Sequence, residues 1–191
     1  MFALCVYISK VMMSDHWVRL HEATSGPMHD IGKICVPVNI LKKVSPLTRE
    51  ERSIVEHQSV AGYVLLSYYF QHPDDSFALV ARDHHERKEG SGYPRGIKLN
   101  DKLVEVVAVC DVYDALISNR PYRSAAFNNR TAIEVITEMG KEIKLNIDVI
   151  KSLVSINRKE KSHFFGCKVS NEKRGDPPLY NNYGIIKDDN N

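Results

Sequence analysis

The chain has few cysteines, and no two of them lie close together in the sequence. Its four cysteines, Cys5, Cys35, Cys110 and Cys167, lie far apart and form no CxxC motif, and three of them stand among apolar neighbours. This distribution is typical of reduced thiols in a cytosolic protein. It argues against a disulfide framework and predicts a cytoplasmic location.

The sequence also lacks a hydrophobic run long enough to cross a membrane. Residues 2–13 are apolar, but Lys10 interrupts them, and the run is shorter than the ~20 residues that a membrane helix needs. It has neither the basic n-region nor the small-residue cleavage site of a signal peptide. We therefore predict a core helix and no membrane span in this chain. A remnant of a longer hydrophobic segment is the alternative.

An excess of charge of either sign is missing as well. The chain has 26 Lys and Arg against 24 Asp and Glu, a net charge of +2. The net charge is therefore too small to attract a nucleic acid polymer or an anionic membrane, and an anionic ligand must be bound by local basic residues. With 191 residues, 43% of them hydrophobic, the chain has enough apolar content for one domain with a sizeable core.

What the sequence does contain is a set of six potential metal ligands: His29, Asp30, His57, His84, His85 and Asp111. Neutral imidazole and carboxylate together bind divalent transition metals, and two adjacent pairs plus two single residues suffice for two ions side by side. A lone histidine on an apolar helix face is more often a hydrogen-bonded core residue. A shared metal centre nevertheless explains all six residues together better than separate structural roles do. Two ions ~3.5–4 Å apart could activate a water for phosphodiester hydrolysis, with Asp30 as the natural bridging ligand.

Helix signals indicate where several of these ligands lie. Thr48 and Glu51 form a capping box, and the helix behind it is predicted to direct His57 inward on a face shared with Ile54, Ala61, Leu65 and Tyr68. A break and cap over residues 73–76 predict a second helix, which directs His84 to the same interior.

The second half of the chain predicts three further helices and a tail. Residues 101–118, which include Asp111, are apolar nearly all round, so we predict a buried element. The length of the run favours a helix, and a strand over 103–110 is the alternative. Thr131–Met139, ended by Gly140, and Asn146–Ile156 predict two closing helices. From Asn157 onward the chain is polar, so residues 157–191 are predicted to be a disordered tail.

Four segments together resemble the HD-GYP family, bacterial phosphodiesterases that cleave cyclic di-GMP. They read HDIGKICVPVNILKK, EHQSVAGYVLL, HHERKEGSGYPRG and AVCDVYDALISNRPYR, and the match covers roughly residues 26–156. Several long motifs in the family's order are a specific signal. The resemblance implies an all-α HD-superfamily helical bundle over residues 1–156 with a metal centre in its core. It also implies hydrolysis of cyclic di-GMP to linear pGpG, with GMP as a further product.

The resemblance also implies roles for individual residues. All six potential ligands match the family's metal ligands, with iron or manganese as the usual metal and zinc as an alternative. Lys33 matches a lysine beside the metals and, with Asp30, is the predicted catalytic residue. Arg120 and Arg123 match residues that bind substrate phosphate, and Tyr93 is a candidate to stack on guanine. Gly90, Gly92, Tyr93 and Pro94 form the family's name-giving loop, which is implicated in contacts with GGDEF-domain partners.

Two departures from the family pattern are present. Glu89 stands where the family usually has Asp, and only 28 residues precede His29, so the front of the domain over residues 1–25 is atypical and short. The residues available there, Asp15, His16, His21 and Glu22, match no ligand position, so at most two metals are expected. Two alternatives follow: an HD phosphohydrolase for another nucleotide, and a catalytically impaired module that binds cyclic di-GMP or a GGDEF partner.

Overall fold

The computed structural model describes residues 1–12, 28–157, 163–181 and 185–187. Within these ranges the regular structure is helical and contains no β-strand, which confirms the predicted all-α fold. The α-helices are α1 (Phe2–Met12), α2 (Val38–Leu41), α3 (Arg49–Glu56), α4 (Gln58–Phe70), α5 (Ser76–Asp83), α6 (Lys102–Ile117), α7 (Asn129–Lys141) and α8 (Ile147–Ile156). Two 3-10 turns, Ile31–Cys35 and Phe164–Gly166, complete the regular structure of the described residues.

Helix α6 is the centre of the core, as the apolar run over 101–118 predicted. It packs against α1, α5, α7 and α8, so residues on all its sides are buried, and a helix apolar all round is stable only in such a position. The side chain of Asp101 starts the helix by accepting hydrogen bonds from the backbone N–H groups of Leu103 (2.8 Å) and Val104 (3.2 Å). The strand alternative over 103–110 is therefore wrong.

Helix α1 is a core helix, as predicted. Cys5 and Ile8 are fully buried, and the helix packs on α6 and α8. No helix in the described ranges combines the length and the hydropathy that a membrane span requires. The acidic residues and histidines noted over residues 15–22, and most of the TSGPM segment, lie outside the described residues.

The predicted capping box is present, but the predicted buried face behind it is wrong. Thr48 Oγ1 accepts from the N–H of Glu51 at 3.2 Å, and the Glu51 carboxylate accepts from the N–H of Thr48 at 2.8 Å. The chain does not continue as one helix, however, since α3 ends at Glu56 and α4 begins at Gln58. The side of α4 that includes Tyr68 is exposed, with 79% of this residue's surface accessible.

The side of α4 that is buried consists mainly of small and polar residues. Its buried positions are Gln58, Ser59, Gly62 and Leu66, and this side packs against α5 and the Ile31–Cys35 turn. Hydrophobic periodicity could not identify this buried side of α4, because three of its four buried residues are not hydrophobic.

Helix α7 is longer than predicted and includes the glycine that was expected to end it. It runs from Asn129 to Lys141, so Gly140 lies inside the helix. A Cβ at Gly140 would lie 2.7 Å from Ile150 Cδ1 of α8. The glycine therefore serves the close approach of α7 and α8 instead of a helix end. The last predicted helix is present as α8, capped by Asn146.

Part of the predicted disordered tail is attached to the domain. Phe164 and Cys167 are buried, and the 3-10 turn between them packs on α8. Farther on, the N–H of Lys187 donates to the carbonyl of Leu47 at 2.9 Å. These contacts join parts of the tail to the helical domain, while the disordered tail and the domain boundary at residue 156 stay predictions.

Candidate metal centre and adjoining cavity

The first two potential ligands are brought into the core by a glycine contact. His29 and Asp30 immediately precede the Ile31–Cys35 turn, which packs on α4. At this crossing a Cβ on Gly32 would overlap the carbonyl of Gln58 and the backbone nitrogen of Gly62. Only glycine allows such an approach, so Gly32 fixes how deeply the His-Asp pair enters the domain.

The other ligands come from two helices that pack on each other. His84 and His85 follow the last residue of α5, and Asp111 lies within α6. Helix α5 packs against both α4 and α6. The end of α5 therefore meets the Ile31–Cys35 turn and α6 at one point of the core.

Two groups of ligand atoms form there and share Asp30. Asp30, His84 and His85 form one group, and His29, Asp30 and Asp111 form the other. Within each group the ligand atoms lie within 4.8 Å of one another. Individual separations are 3.4 Å from His29 Nε2 to Asp30 Oδ2 and 3.8 Å from His84 Nε2 to Asp30 Oδ1. This arrangement suits a carboxylate that contacts two ions.

Buried polar atoms at this point fit a cation. Asp30 Oδ1, His84 Nε2 and His29 Nδ1 are inaccessible to solvent and have no hydrogen-bond partner among the described residues. Buried polar atoms normally have a partner, and those without one need an explanation such as an ion. The Nδ1 of His84 lies 2.9 Å from the carbonyl of Val80, and donation to that carbonyl leaves Nε2 free to bind metal. The residues present therefore fit a divalent metal centre.

The protonation states at the centre also favour metal binding. Burial lowers the pKa of His29, although Asp30 opposes the shift. Burial also lowers the pKa of His85 well below its ordinary value, and neighbouring His84 adds to the effect. Burial alone would raise the pKa of Asp30, but its interactions with His29 and Lys33 lower it. Neutral imidazole and ionised carboxylate are the forms that bind metal.

The structure does not place His57 in either ligand group. It lies at the junction of α3 and α4 with its surface exposed, beside a shallow pocket that Cys35, Val36 and Ile54 help to form. The prediction that His57 points inward is wrong. The next residue, Gln58, points inward instead, with its Nε2 at 2.9 Å from His85 Nε2.

A cavity of about 290 Å³ opens beside the ligands. The predicted site residues that line it are Lys33, His85, Tyr93, Asp111 and Arg120. Lys33 Nζ lies 2.5 Å from Asp30 Oδ2, so the lysine is directly beside the centre. The Nε of Arg120 is buried and has no hydrogen-bond partner within the described ranges. The cavity therefore combines two of the potential metal ligands, His85 and Asp111, with cationic side chains suited to an anion.

One residue of the predicted glycine loop, Tyr93, lines the cavity. The ring of Tyr93 stacks on His85, with 4.6 Å between centroids and 27° between planes. A Cβ on Gly92 would overlap the backbone of His85 and Glu86, and Gly90 has a φ of 96°. Glycine is therefore required at both positions. Pro94 is the next residue of the same loop.

Arg123 does not line the cavity but is buried against backbone carbonyls. It is 7% exposed, and its Nη2 lies within hydrogen-bonding distance of the carbonyls of Ala115, Leu116 and Ser118 at 2.9, 2.8 and 2.6 Å. These carbonyls lie at the C-terminal end of α6, where backbone acceptors lack helical partners. The structure therefore does not place Arg123 beside Arg120 in the cavity, although both were predicted to bind substrate phosphate.

Three residues with a clear place at the site were missed by sequence reasoning. Gln58 contacts His85, and Arg87 lines the cavity. Glu86 is completely buried, and its carboxylate accepts from the N–H groups of Arg95 at 2.7 Å and Ile97 at 3.2 Å, which anchors the loop. The positions of Glu86 and Arg87 directly after the two histidines were the available signal, but a charged residue is usually predicted to be exposed.

Comparison with known proteins identifies the domain type. The family described as HD domain matches residues 1–149. The cyclic di-GMP phosphodiesterase response regulator RpfG of Xanthomonas campestris is 42% identical over 115 residues, which are 59% of this chain and 30% of that protein. A cyclic di-GMP phosphodiesterase of Thermotoga maritima is 35% identical over 144 residues, 72% of this chain and 39% of that protein. The 3′3′-cGAMP-specific phosphodiesterase 1 of Vibrio cholerae is 32% identical over 143 residues, 73% of this chain and 32% of that protein. The chain thus spans between 30% and 39% of the length of these relatives.

Proposed function

Because the chain belongs to the HD domain family and has an HD domain of the HD-GYP type, we propose that it is a metal-dependent phosphodiesterase for cyclic di-GMP. The product is linear pGpG, with GMP as a second product to be tested. One observation carries the proposal: two groups of ligand atoms share Asp30 and adjoin a cavity with cationic side chains. The relatives named as cyclic di-GMP phosphodiesterases support the substrate.

The two ligand groups would hold two divalent ions. His29, Asp30 and Asp111 form one position, and Asp30, His84 and His85 form the other. Ions bound there would supply a water of lowered pKa as the nucleophile and would neutralise charge on the phosphate. Histidine nitrogen and carboxylate oxygen suit iron or manganese, with zinc as the alternative.

The remaining residues bind and orient the substrate. Arg120 and Arg87 line the cavity and bind phosphate oxygens, because a guanidinium pairs with phosphate through two parallel hydrogen bonds. Lys33 lies beside Asp30, where its ammonium group is positioned to stabilise or protonate the departing 3′-oxygen. Tyr93 keeps His85 in place by stacking, and its other face is the proposed contact for guanine.

Turnover of cyclic di-GMP tests the proposal. The full chain is purified in oxygen-poor buffer with iron or manganese, and pGpG and GMP are separated by chromatography. Asp30→Asn should lower kcat by about 100-fold or more, because the shared ligand is removed at both positions. Asp74→Asn is the matched control, because Asp74 is an exposed loop residue away from the ligands. Equal turnover by both variants would overturn the proposal.

A second candidate substrate is 3′3′-cGAMP, because relatives with that specificity match the chain over a similar length. It corresponds to the alternative of an HD phosphohydrolase for another nucleotide. A panel of cyclic di-GMP, 3′3′-cGAMP and linear pGpG at equal concentrations distinguishes the candidates by kcat/KM. Stoichiometric binding of cyclic di-GMP without any product would instead indicate an impaired binding module.

A GGDEF-domain protein is the proposed protein partner, and the loop at Gly92, Tyr93 and Pro94 is its contact, since this loop is partly exposed beside the cavity. Binding of a purified GGDEF domain to the wild-type chain and to Tyr93→Ala tests this proposal. A location in the cytoplasm stays a prediction from the separated cysteines.

A further inference from the structure

Gln58 is a buried polar residue in direct contact with His85 of the ligand groups. Gln58 is 4% exposed, and its Nε2 lies 2.9 Å from His85 Nε2. Its Oε1 is buried and has no hydrogen-bond partner among the described residues. A carboxamide oxygen in that position loses its water without a replacement. His57, the neighbouring residue and the expected ligand, is exposed.

The glycine crossing fixes which of the two residues faces the centre. Gln58 and Gly62 are four residues apart, so they share one side of α4. Gly62 packs against Gly32, with a Cβ at Gly62 only 3.3 Å from the Gly32 nitrogen. A rotation of about 100°, the angle between adjacent helical residues, would bring His57 inward but would also bring Ala61 into this crossing. A Cβ 3.3 Å from the Gly32 nitrogen is closer than most such contacts, and a Cβ on Gly32 itself would overlap the Gln58 carbonyl, so this close crossing favours Gln58 as the inward residue.

We propose that Gln58 is a ligand of the ion held by Asp30, His84 and His85, and that its amide oxygen biases this position toward manganese over zinc. The proposal rests on the metal centre proposed above and refines it. A half-turn of the carboxamide exchanges its oxygen and its nitrogen, so the oxygen can face the position that Nε2 occupies. Carbonyl and carboxylate oxygens suit manganese, whereas imidazole suits zinc and iron. Replacing one imidazole by an amide oxygen therefore weakens zinc binding more than manganese binding.

Metal binding to the full chain tests the assignment without any assay of activity. Metal is removed with a chelator, and Mn²⁺ is titrated with calorimetry and electron paramagnetic resonance, followed by competition with Zn²⁺. Gln58→Ala should raise the dissociation constant of one of the two Mn²⁺ ions by about 10-fold or more. Gln58→His should shift the ratio of Zn²⁺ to Mn²⁺ affinity toward zinc by about 10-fold or more. His57→Gln is the matched control and should leave the dissociation constants of both Mn²⁺ ions within about 2-fold of wild type, since His57 is exposed and belongs to neither ligand group.

The outcomes separate this inference from the proposed function. Loss of an ion in His57→Gln, with Gln58→Ala unchanged, would overturn the assignment, and so would an unchanged Zn²⁺ to Mn²⁺ ratio in Gln58→His. Circular dichroism of each variant detects unfolding. If Gln58→Ala is unfolded, Gln58→His and His57→Gln still decide the question. A wild-type chain that binds metal as predicted but hydrolyses no cyclic dinucleotide would refute the proposed function alone.

Discussion

The two arginines of the RPYR segment should have separable roles, and this prediction depends directly on the structure. Arg123 is buried at the end of α6, where its Nη2 faces three backbone carbonyls. Its guanidinium carbon also lies 4.9 Å from the ring centroid of Phe127. Arg120 instead lines the cavity. Replacing Arg123 should therefore affect stability, and replacing Arg120 should affect substrate binding.

The magnitude follows from the hydrogen bonds. One Nη2 carries two hydrogens, so at most two of the three contacts are well formed at one time, and a hydrogen bond to a charged group contributes about 1.5–3 kcal/mol. Methionine recovers part of the packing, so Arg123→Met should lower the free energy of unfolding by about 3 kcal/mol. For a chain of this length, that corresponds to a fall in Tm of about 6–12 °C.

Thermal unfolding and steady-state kinetics on matched variants provide the assay. Arg120→Met should raise KM for cyclic di-GMP by about 10-fold or more, since a charge-assisted phosphate contact is lost, while the free energy of unfolding stays within about 0.5 kcal/mol of wild type. Arg123→Met, measured well below its Tm, should keep KM within about 3-fold. An Arg123→Met variant with wild-type Tm and a KM as high as that of Arg120→Met would show that Arg123 binds substrate and does not stabilise the end of α6.

Three further predictions concern the loop, the glycine crossing and pH. Glu86→Gln should lower the free energy of unfolding by about 2 kcal/mol and reduce kcat, because the buried carboxylate that accepts two loop N–H groups is replaced; an unchanged denaturant midpoint would contradict this. Gly32→Ala should destabilise the domain by more than about 2 kcal/mol, whereas Gly166→Ala, where an added Cβ meets nothing within 4 Å, should change it by less than about 0.5 kcal/mol. Because burial lowers the pKa of His29 and His85, the unfolded chain takes up protons first as pH falls below about 6.5. For each of these histidines, the free energy of unfolding of the metal-free protein should therefore fall by up to about 1.4 kcal/mol per pH unit, until the pH reaches the lowered pKa. Urea unfolding at several pH values measures this fall, and a free energy of unfolding that does not change with pH would contradict it.

Helices with strong local signals could be predicted from the sequence. The length of the apolar run over residues 101–118 favoured the helix α6 over a strand, and Thr48 with Glu51 predicted the start of α3, because apolar patterning and capping are local properties. Five of the six potential ligands lie in the two ligand groups. Their residue types and the apolar surroundings of Asp111 indicated the chemistry.

The positions that were wrong depend on contacts between distant segments. His57 and Gln58 are adjacent, and only the crossing of Gly32 with Gly62 decides which of them faces the centre. Arg123 was predicted to bind phosphate because it matches a phosphate-binding position of the HD-GYP family, but its guanidinium contacts the carbonyls at the open end of α6. No local pattern reports either contact, since each joins residues from different elements.

Turnover as a function of bound metal is the most direct test of the central claim. Metal-free protein is loaded with Mn²⁺ in steps, and the metal content and the rate of cyclic di-GMP hydrolysis are measured on the same samples. We expect no hydrolysis without metal and a rate that rises to a plateau near two ions per chain, as the two ligand groups that share Asp30 require. Hydrolysis that is independent of metal content, or a fully loaded chain that forms no pGpG, would contradict it.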